Sequence, residues 1–324
     1  MVVNGARVPG YVLRPYRGGE DHAAMAAVRA GSAEHDGVDA GSVVEGLPTG
    51  AEIGEASAKL DDPAGSQVLV EHEGSVVGYV TLRWWRERDG TRLYLHRGHL
   101  LPAHRGRGVG SAMLDWAEGR IRDLVERQGT AGTAVLGANA TAGERDATRL
   151  LLDAGYRRVF SLVELELSDL AQLPDSEPPP AGVRLGPVGA EDYRAAWRTV
   201  VDSYQDAAFT EEWPYERFLA TADPACWRAA WQGEELAAVA LCSIRPQDRT
   251  VGEVEELSVR AQSRRLGLGR SVLLDGLRSL RAHGARSARL YTGTANPYRS
   301  YDLYESVGFR RRNEYVRYRK PLGG

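Results

Sequence analysis

Two cysteines, three methionines, four phenylalanines and two lysines are all that 324 residues hold of those types. Cys226 and Cys242 give neither a disulfide framework nor metal-ligand spacing, so each reads as a small buried apolar residue and no metal is expected. No apolar run approaches the ~18 residues of a membrane span. The opening stretch MVVNGARVPGYVLRPY lacks the apolar core of a leader, so the expectation is a cytoplasmic protein without a membrane partner. A basic excess is missing too: 41 basic residues face 44 acidic ones, for a net charge of −3. That argues against a general nucleic-acid binder, which must displace counterions with positive charge. Lysine is confined to Lys59 and Lys320, so nearly every cation is a planar guanidinium suited to phosphate and carboxylate. A GC-rich coding sequence accounts for most of that bias.

What is present is written twice. The length suits two cores better than one. The stretch SDLAQLPDSEPPPAG, with four prolines and no apolar period, reads as a linker. It suggests an N-terminal domain over 1–167, a linker over 168–181 and a C-terminal domain over 182–324. Each half shows the same order: a strand, a helix, a hairpin, a strand, a glycine turn, a long amphipathic helix, a strand, a short helix and a last strand. In the first half these include VLVEHEGSVVGYVTLRWW, TRLYLHRGHLL and SAMLDWAEGRIRDLVERQ. Their counterparts are CWRAAWQGEELAAVALCSI, TVGEVEELSVR and GRSVLLDGLRSLRAHG.

The most specific shared feature is Arg-x-x-Gly-x-Gly between a strand and a helix. It occurs as Arg105, Gly108 and Gly110, and again as Arg264, Gly267 and Gly269. Glycine lets the backbone take left-handed angles and approach a ligand closely. The exposed N–H groups of a helix start, with the helix dipole, attract phosphate. A Walker loop would need lysine, which is absent here. A dinucleotide fingerprint would need a third glycine, where Ser111 and Arg270 stand. A plain strand-to-helix connection competes with a single copy, but not with two copies in equivalent places.

These residues resemble the GNAT superfamily of acyl-CoA-dependent N-acyltransferases, in both halves and over most of the chain. The segments GEVEELSV, RRLGLG and YESVGF, with the doubled layout, resemble its tandem mycothiol synthase type. The resemblance implies an α/β fold of two tandem domains. Each would have a mostly antiparallel central sheet, a splayed central strand pair and flanking helices. It implies acetyl-CoA or another acyl-CoA as co-substrate. The pyrophosphate would lie on Arg105, Gly106, Arg107, Gly108, Val109, Gly110 and Ser111, and on Arg264, Arg265, Leu266, Gly267, Leu268, Gly269 and Arg270. Backbone groups of Leu257, Ser258 and Val259 would meet the thioester, and Leu100 and Asn296 complete the expected CoA contacts.

The resemblance also separates the halves. A late Tyr-x-x-x-Gly-Phe places Tyr304 before Gly308 and Phe309, as a proton donor to the departing thiolate; the first half has Leu151 there. On the strand before the second turn stand Glu253, Glu255 and Glu256. Strict alternation puts Glu253 and Glu255 on one face and Glu256 on the other. Glu253 and Glu255 are therefore the base candidates; the first half has Tyr94 and His96 at the equivalent places, where His96 has the chemistry of a base. An exposed acidic strand explains each glutamate alone as well. The acceptor is expected beside DSYQDAAFTEEWPYERF, with Tyr204, Asp206, Glu211 and Glu212 suited to a cationic amine. A helix start explains the last two equally. The expected function is N-acetyl transfer to a primary amine of a small molecule, in the C-terminal copy, by a monomer or homodimer. A non-catalytic acyl-CoA sensor, or transfer to a protein N-terminus or lysine, stays open.

Overall fold

The computed structural model describes residues 8–42, 44–173, 178–204, 213–220, 223–294 and 300–322. Contacts divide the chain into two units. One holds the residues up to Ser161 together with those from Glu314 onward; the other is Leu162–Asn313.

The first unit runs β1 (Tyr11–Pro15), α1 (Gly19–Asp36), α2 (Gly50–Ala58), β2 (Gln67–His72), β3 (Ser75–Arg86), β4 (Arg92–Leu100), α3 (Val109–Gln128), β5 (Ala134–Thr141) and α4 (Arg145–Asp153). The sequence reading has every one of these except α2, a nine-residue helix begun by a capping box between Thr49 and Glu52. Apolar residues three and four apart make α3 amphipathic. Val109, Met113, Ala117, Ile121 and Val125 are buried against the sheet, beside Val80, Tyr94, Leu136 and Ala138. On the opposite face α1 packs Met25 and Val28 against Leu69 and Tyr79.

β6 (Arg157–Leu167) enters the second unit at Leu162; that unit continues with β7 (Val183–Pro187), α5 (Tyr193–Ser203), α6 (Tyr215–Ala220), β8 (Arg228–Gln232), β9 (Glu235–Ile244), β10 (Val251–Val259), α7 (Leu268–Ala282), β11 (Ser287–Gly293) and α8 (Ser300–Val307), and β12 (Arg310–Pro321) leaves it after Asn313. Here α7 buries Leu268, Val272, Leu273, Leu277 and Leu280 against β9, β10 and β11. On the other face α5 packs Ala196 and Val200 against Val239 and Leu241.

The two closing strands are exchanged relative to chain order. Residues Leu162–Leu167 of β6 pair antiparallel with β11, in the second unit. Residues Tyr315–Pro321 of β12 return to pair with β5, in the first. The contact boundaries at Ser161/Leu162 and Asn313/Glu314 thus differ from the sequence-based division at the proline-rich segment, because sheet partners follow hydrogen-bond register and not chain order. The beginning of that segment is also docked. Leu170 and Leu173 are buried in the second core, and the Leu170 carbonyl accepts from Arg281 at 3.2 Å.

In both units the central strand pair opens. β4 runs parallel to β5 from Arg92 to His96 and then keeps only its β3 partner. β10 runs parallel to β11 only from Val251 to Glu253.

Candidate functional site

Each opened strand leads through a one-turn 3-10 segment into the glycine turn. Arg105 and Arg264 have matching extended backbones, with ψ 163° and 158°. The next residue is left-handed in both copies, Gly106 at φ 71° and Arg265 at φ 63°. Gly108 and Gly267 follow at φ 81° each and cap α3 and α7. A left-handed residue on either side of one ordinary residue, directly before a helix start, makes a nest of outward N–H groups. That geometry fits a pyrophosphate in both copies. Leu266 and Arg107 lie exposed on the rims, while Val109 and Leu268 anchor the helices below. Gly110 lets Leu150 approach α3, and Gly269 lets Leu303 approach α7.

The motif arginines do something the sequence does not announce. Arg105 Nε donates to the Leu100 carbonyl at 3.2 Å, and its two terminal nitrogens grip Asp36 at 2.7 and 2.8 Å. Arg264 repeats the first contact, on the Val259 carbonyl at 3.3 Å, and reaches the Ser203 carbonyl at 3.4 Å. Both guanidinium groups lock strand, turn and first helix together, which leaves the outward backbone N–H groups as the chief positive feature of each nest. Arg270 braces α7 to α8 through the Ser306 hydroxyl at 3.0 Å and carbonyl at 3.3 Å.

In the first unit the turn opens into a cavity of about 250 Å³ that continues to the strand opening. Gly106, Gly108 and Ser111 line its mouth; His96, Gly98, Ala138 and Leu151 line the inner part. A shaft running from an anion nest into an apolar gap fits a phosphate-bearing pantetheine chain.

The second unit differs at the strand. β10 carries a β-bulge against β9 between Val254 and Glu256, whereas β4 stays in unbroken register with β3 from Arg92 to Leu100. The extra residue reverses the alternation past it. Ser243, directly opposite Glu253, donates to Glu255 at 2.5 Å. Glu256 accepts from the Tyr204 hydroxyl at 2.8 Å, and Ser258 bonds Ser203 at 3.0 Å, both at the end of α5. All three glutamates therefore face α5, which corrects the expectation that Glu256 points away. The bulge hides in the sequence because nothing but the acidic run marks it.

Burial raises the pKa of each of these carboxyls. For Glu253 the nearby Arg245, at 3.5 Å, opposes the shift and Glu255 adds to it. For Glu255 the Ser243 hydroxyl opposes it. Half-buried Glu256 is pushed up to about 7, with the Tyr204 hydrogen bond pulling the other way and Glu255 reinforcing the rise. Tyr304 on α8 is 7% exposed, and its hydroxyl has no hydrogen-bond partner among the described residues. Burial and the charge of Glu256 hold its phenol well above the usual value, so it stays protonated. Of the other expected acceptor residues Tyr204 joins this group. Asp206, Glu211 and Glu212, like the CoA candidate Asn296, lie outside the described residues.

The first unit has none of this arrangement. Tyr94 and His96 face α3, not α1: Tyr94 donates to Gln128 at 2.7 Å, and His96 Nε2 lies 2.9 Å from the Tyr156 hydroxyl. Burial pushes His96 down to about 4, so it is neutral at physiological pH and tied to a buried phenol, which corrects its reading as a base. Counted from the turn, Glu256 corresponds to Arg97, which pairs with Glu45 at 3.0 Å.

Known proteins carry the same pattern. The model of the Acetyltransferase (GNAT) family matches residues 44–142 and again 190–309. The chain belongs to the GNAT acetyltransferase family. It is an N-acetyltransferase, built on the mixed α/β fold of tandem members. It is similar to the mycothiol acetyltransferase of Parafrankia sp. (strain EAN1pec), 28% identical over 297 residues, covering 80% of this chain and 85% of that one. The mycothiol acetyltransferase of Geodermatophilus obscurus is 28% identical over 296 residues, covering 87% and 91%. Among solved structures, a GCN5-related N-acetyltransferase from Sphaerobacter thermophilus superposes with a TM-score of 0.79 at 22% identity, over 98% and 97% of the two chains. A tandem GNAT protein of the clavulanic acid biosynthesis pathway gives 0.67 at 17% identity, over 97% and 99%. Among the described residues no helix is long and apolar enough to cross a membrane.

Proposed function

We propose that the second unit transfers an acetyl group from acetyl-CoA to a primary amine of a small molecule, by direct attack in a ternary complex. The observation that carries this reading is the bulged β10. It gathers three carboxylates on the α5 face next to a protonated, unpartnered phenol. Glu253 or Glu255 accepts the proton that the acceptor ammonium loses, directly or through water. Backbone groups at Leu257–Val259 hold the thioester carbonyl as charge develops on it. The new C–N bond forms as the C–S bond breaks. Tyr304 hydrogen-bonds the departing thiolate, the thiol leaves protonated, and solvent restores the phenol. The raised carboxyl values suit base catalysis near neutrality.

The first unit is proposed to bind acyl-CoA without turning it over, since it keeps nest and cavity but has Leu151 for the phenol and Arg97 on the acceptor face. Relatives named mycothiol acetyltransferase make the amine that such enzymes acetylate the first acceptor to try. The test is thiol release from acetyl-CoA with a panel of amines, followed by mass measurement of the products. Release that tracks an added amine supports the reading; its absence with every amine at every pH from 6 to 9 rejects it.

A further inference from the structure

One buried imidazole of the first unit takes no part in the acetyl transfer proposed above. His96 is the last residue of β4 that pairs with β5, at Ala138, so it stands where the strand pair opens. Its ring lines the cavity together with Leu151. Nε2 lies 2.9 Å from the Tyr156 hydroxyl. Nδ1 has no hydrogen-bond partner among the described residues and is not sealed off by packing.

The groups behind the ring decide what Nδ1 offers. Burial works against the charge of Glu118, but Lys320 at 2.7 and 3.0 Å and Arg122 at 2.8 Å outweigh it and hold that carboxyl below its usual range. Burial and the ionised Glu118 hold the Tyr156 phenol well above its usual value, and the phenol hydrogen-bonds that carboxylate. A phenol has one proton to give, and here the charge takes it. The phenol oxygen is then an acceptor for His96, which puts the imidazole proton on Nε2. Burial keeps the ring neutral, so Nδ1 retains its lone pair as an acceptor in the cavity wall.

The second unit has the opposite polarity at the same place. Glu255 is the extra residue of the β10 bulge, so His96 corresponds to Val254, which is buried in the same core as Tyr304. That copy offers a donor, the Tyr304 phenol, and an apolar side chain where His96 would stand. The first copy offers an acceptor, His96, and has Leu151 in place of the donor. A donor suits the sulfur of a thioester or a thiolate. An acceptor suits a sulfur that carries hydrogen, because a thiol donates, weakly, and a thioester has no proton to give.

We propose that the first unit selects free CoA over acetyl-CoA, with His96 Nδ1 accepting a hydrogen bond from the thiol and with Tyr156 and Glu118 setting the tautomer. This rests on the reading of that unit as a CoA site and specifies the form it holds, the product of the transfer and not its donor. Calorimetry on the full chain carrying Gly267→Val, which closes the second nest, isolates the first site. The ligands are CoA, acetyl-CoA and desulfo-CoA, in which hydrogen replaces the thiol group and so separates size from hydrogen bonding. CoA is expected to bind at least about fivefold more tightly than either, the worth of one ordinary hydrogen bond. Adding His96→Leu should bring the three affinities together. Adding Tyr156→Phe, which keeps the imidazole and frees its tautomer, should reduce the preference. The same preference is read without Gly267→Val as the difference between the wild type and Gly108→Val, in which the first nest is closed. Equal affinities, or acetyl-CoA the tighter, overturn the proposal and leave the first unit a CoA site. A preference untouched by His96→Leu or by Tyr156→Phe does the same. No binding of any of the three at the first site overturns the reading of that unit as well, and leaves the acetyl transfer of the second standing.

Discussion

The Tyr204 hydroxyl, at the end of α5, donates a 2.8 Å hydrogen bond to the Glu256 carboxylate, on the bulged strand β10. Burial pushes that carboxyl up to about 7, and the hydrogen bond is what keeps the shift from being larger. Only the ionised form attracts a cation. Acceptor KM is therefore expected to rise as pH falls through 7, by up to about tenfold per unit below it. Tyr204→Phe removes a donor that favours the ionised form, so the same limb moves to higher pH. Glu256→Gln abolishes the limb. Initial rates between pH 5.5 and 9 at several acceptor concentrations check all three. An unmoved limb in Tyr204→Phe assigns it to another group.

Tyr304 offers a cleaner separation of chemistry from binding. Its phenol is buried beside Phe309, at a ring separation of 6.0 Å, and makes no hydrogen bond that a substitution would break. Phenylalanine preserves the packing and removes only the proton donor. kcat is expected to fall by about 10²-fold, within the range usual for a lost acid, while CoA binding measured by calorimetry stays close to the wild type. Unchanged turnover would remove Tyr304 from the mechanism.

Gly108 and Gly267 sit at the same φ of 81° and open the same nest in the two units. A β-branched residue at either position is strained, by about 1–2 kcal/mol, and its side chain stands over the N–H groups meant for the ligand. Gly267→Val is expected to abolish acetylation. Gly108→Val is expected to remove one bound CoA per chain and spare most turnover. CoA stoichiometry and rate, measured together for both variants, decide the assignment. The reverse pattern would put the chemistry in the first unit, and a wild type binding a single CoA would make the first nest a structural remnant.

How much of this was legible beforehand depends on whether the feature is periodic or local. The strands, the long helices α3 and α7 and both glycine turns follow from apolar spacing and punctuation, and they stand where the pattern puts them. So does the contrast of Tyr304 with Leu151. The bulge was not legible. A single inserted residue reverses a strand's faces without changing its composition, and it brought Glu256 into the site while Tyr94 and His96 went to the opposite face in the other copy. The partners of Arg105 and Arg264 were hidden for a different reason, since a guanidinium suited to phosphate is equally suited to Asp36 or a strand carbonyl. Strand exchange was hidden because either half's pattern is satisfied by a closing strand of either origin.

His96 yields a prediction about stability. Its pKa is pushed down to about 4 by burial, with the positive Lys320 adding to the effect and Glu118 opposing it. In the unfolded chain it titrates near 6.5. The folded state thus holds His96 neutral while the unfolded state takes up a proton. The stability this contributes is complete above pH 6.5 and is lost as pH falls from there through 4, at about 1.4 kcal/mol per unit and about 3 kcal/mol in all. Half-buried His99, lowered by desolvation and by the neighbouring Arg29, Arg97 and Arg105, acts in the same direction. Urea midpoints measured from pH 7 to pH 4 should decline, and His96→Gln should flatten the decline even where it lowers stability overall. Parallel slopes for the two proteins would show that His96 ionises freely in the fold.

The last strand belongs to the first core. Tyr315, Val316 and Tyr318 are 1%, 2% and 1% exposed there, and Tyr315–Pro321 supply the only described strand pairing along that stretch of β5 beyond β4. Arg319 makes a two-pronged pair with Glu87, which is 1% exposed, and Lys320 holds Glu118 at 2.7 and 3.0 Å. A chain ending at Asn313 strips β5 of this partner, leaves buried Glu87 without Arg319, and leaves Glu118 with Arg122 alone. Loss of one such partner alone costs about 3–5 kcal/mol, comparable with the 5–15 kcal/mol that holds an ordinary domain together. The truncated protein is therefore expected to lose amide protection in β2–β5 and α3, the unit farthest away in sequence from the cut. The strands β8–β11 and helix α7 should keep theirs. Arg319→Leu, which removes one pair and leaves the strand, should give an intermediate loss in the same elements. Hydrogen exchange read by peptide mass distinguishes these outcomes. If the loss instead fell on β8–β11, β12 would be acting as a strand of the second unit, and the exchange of closing strands would not hold.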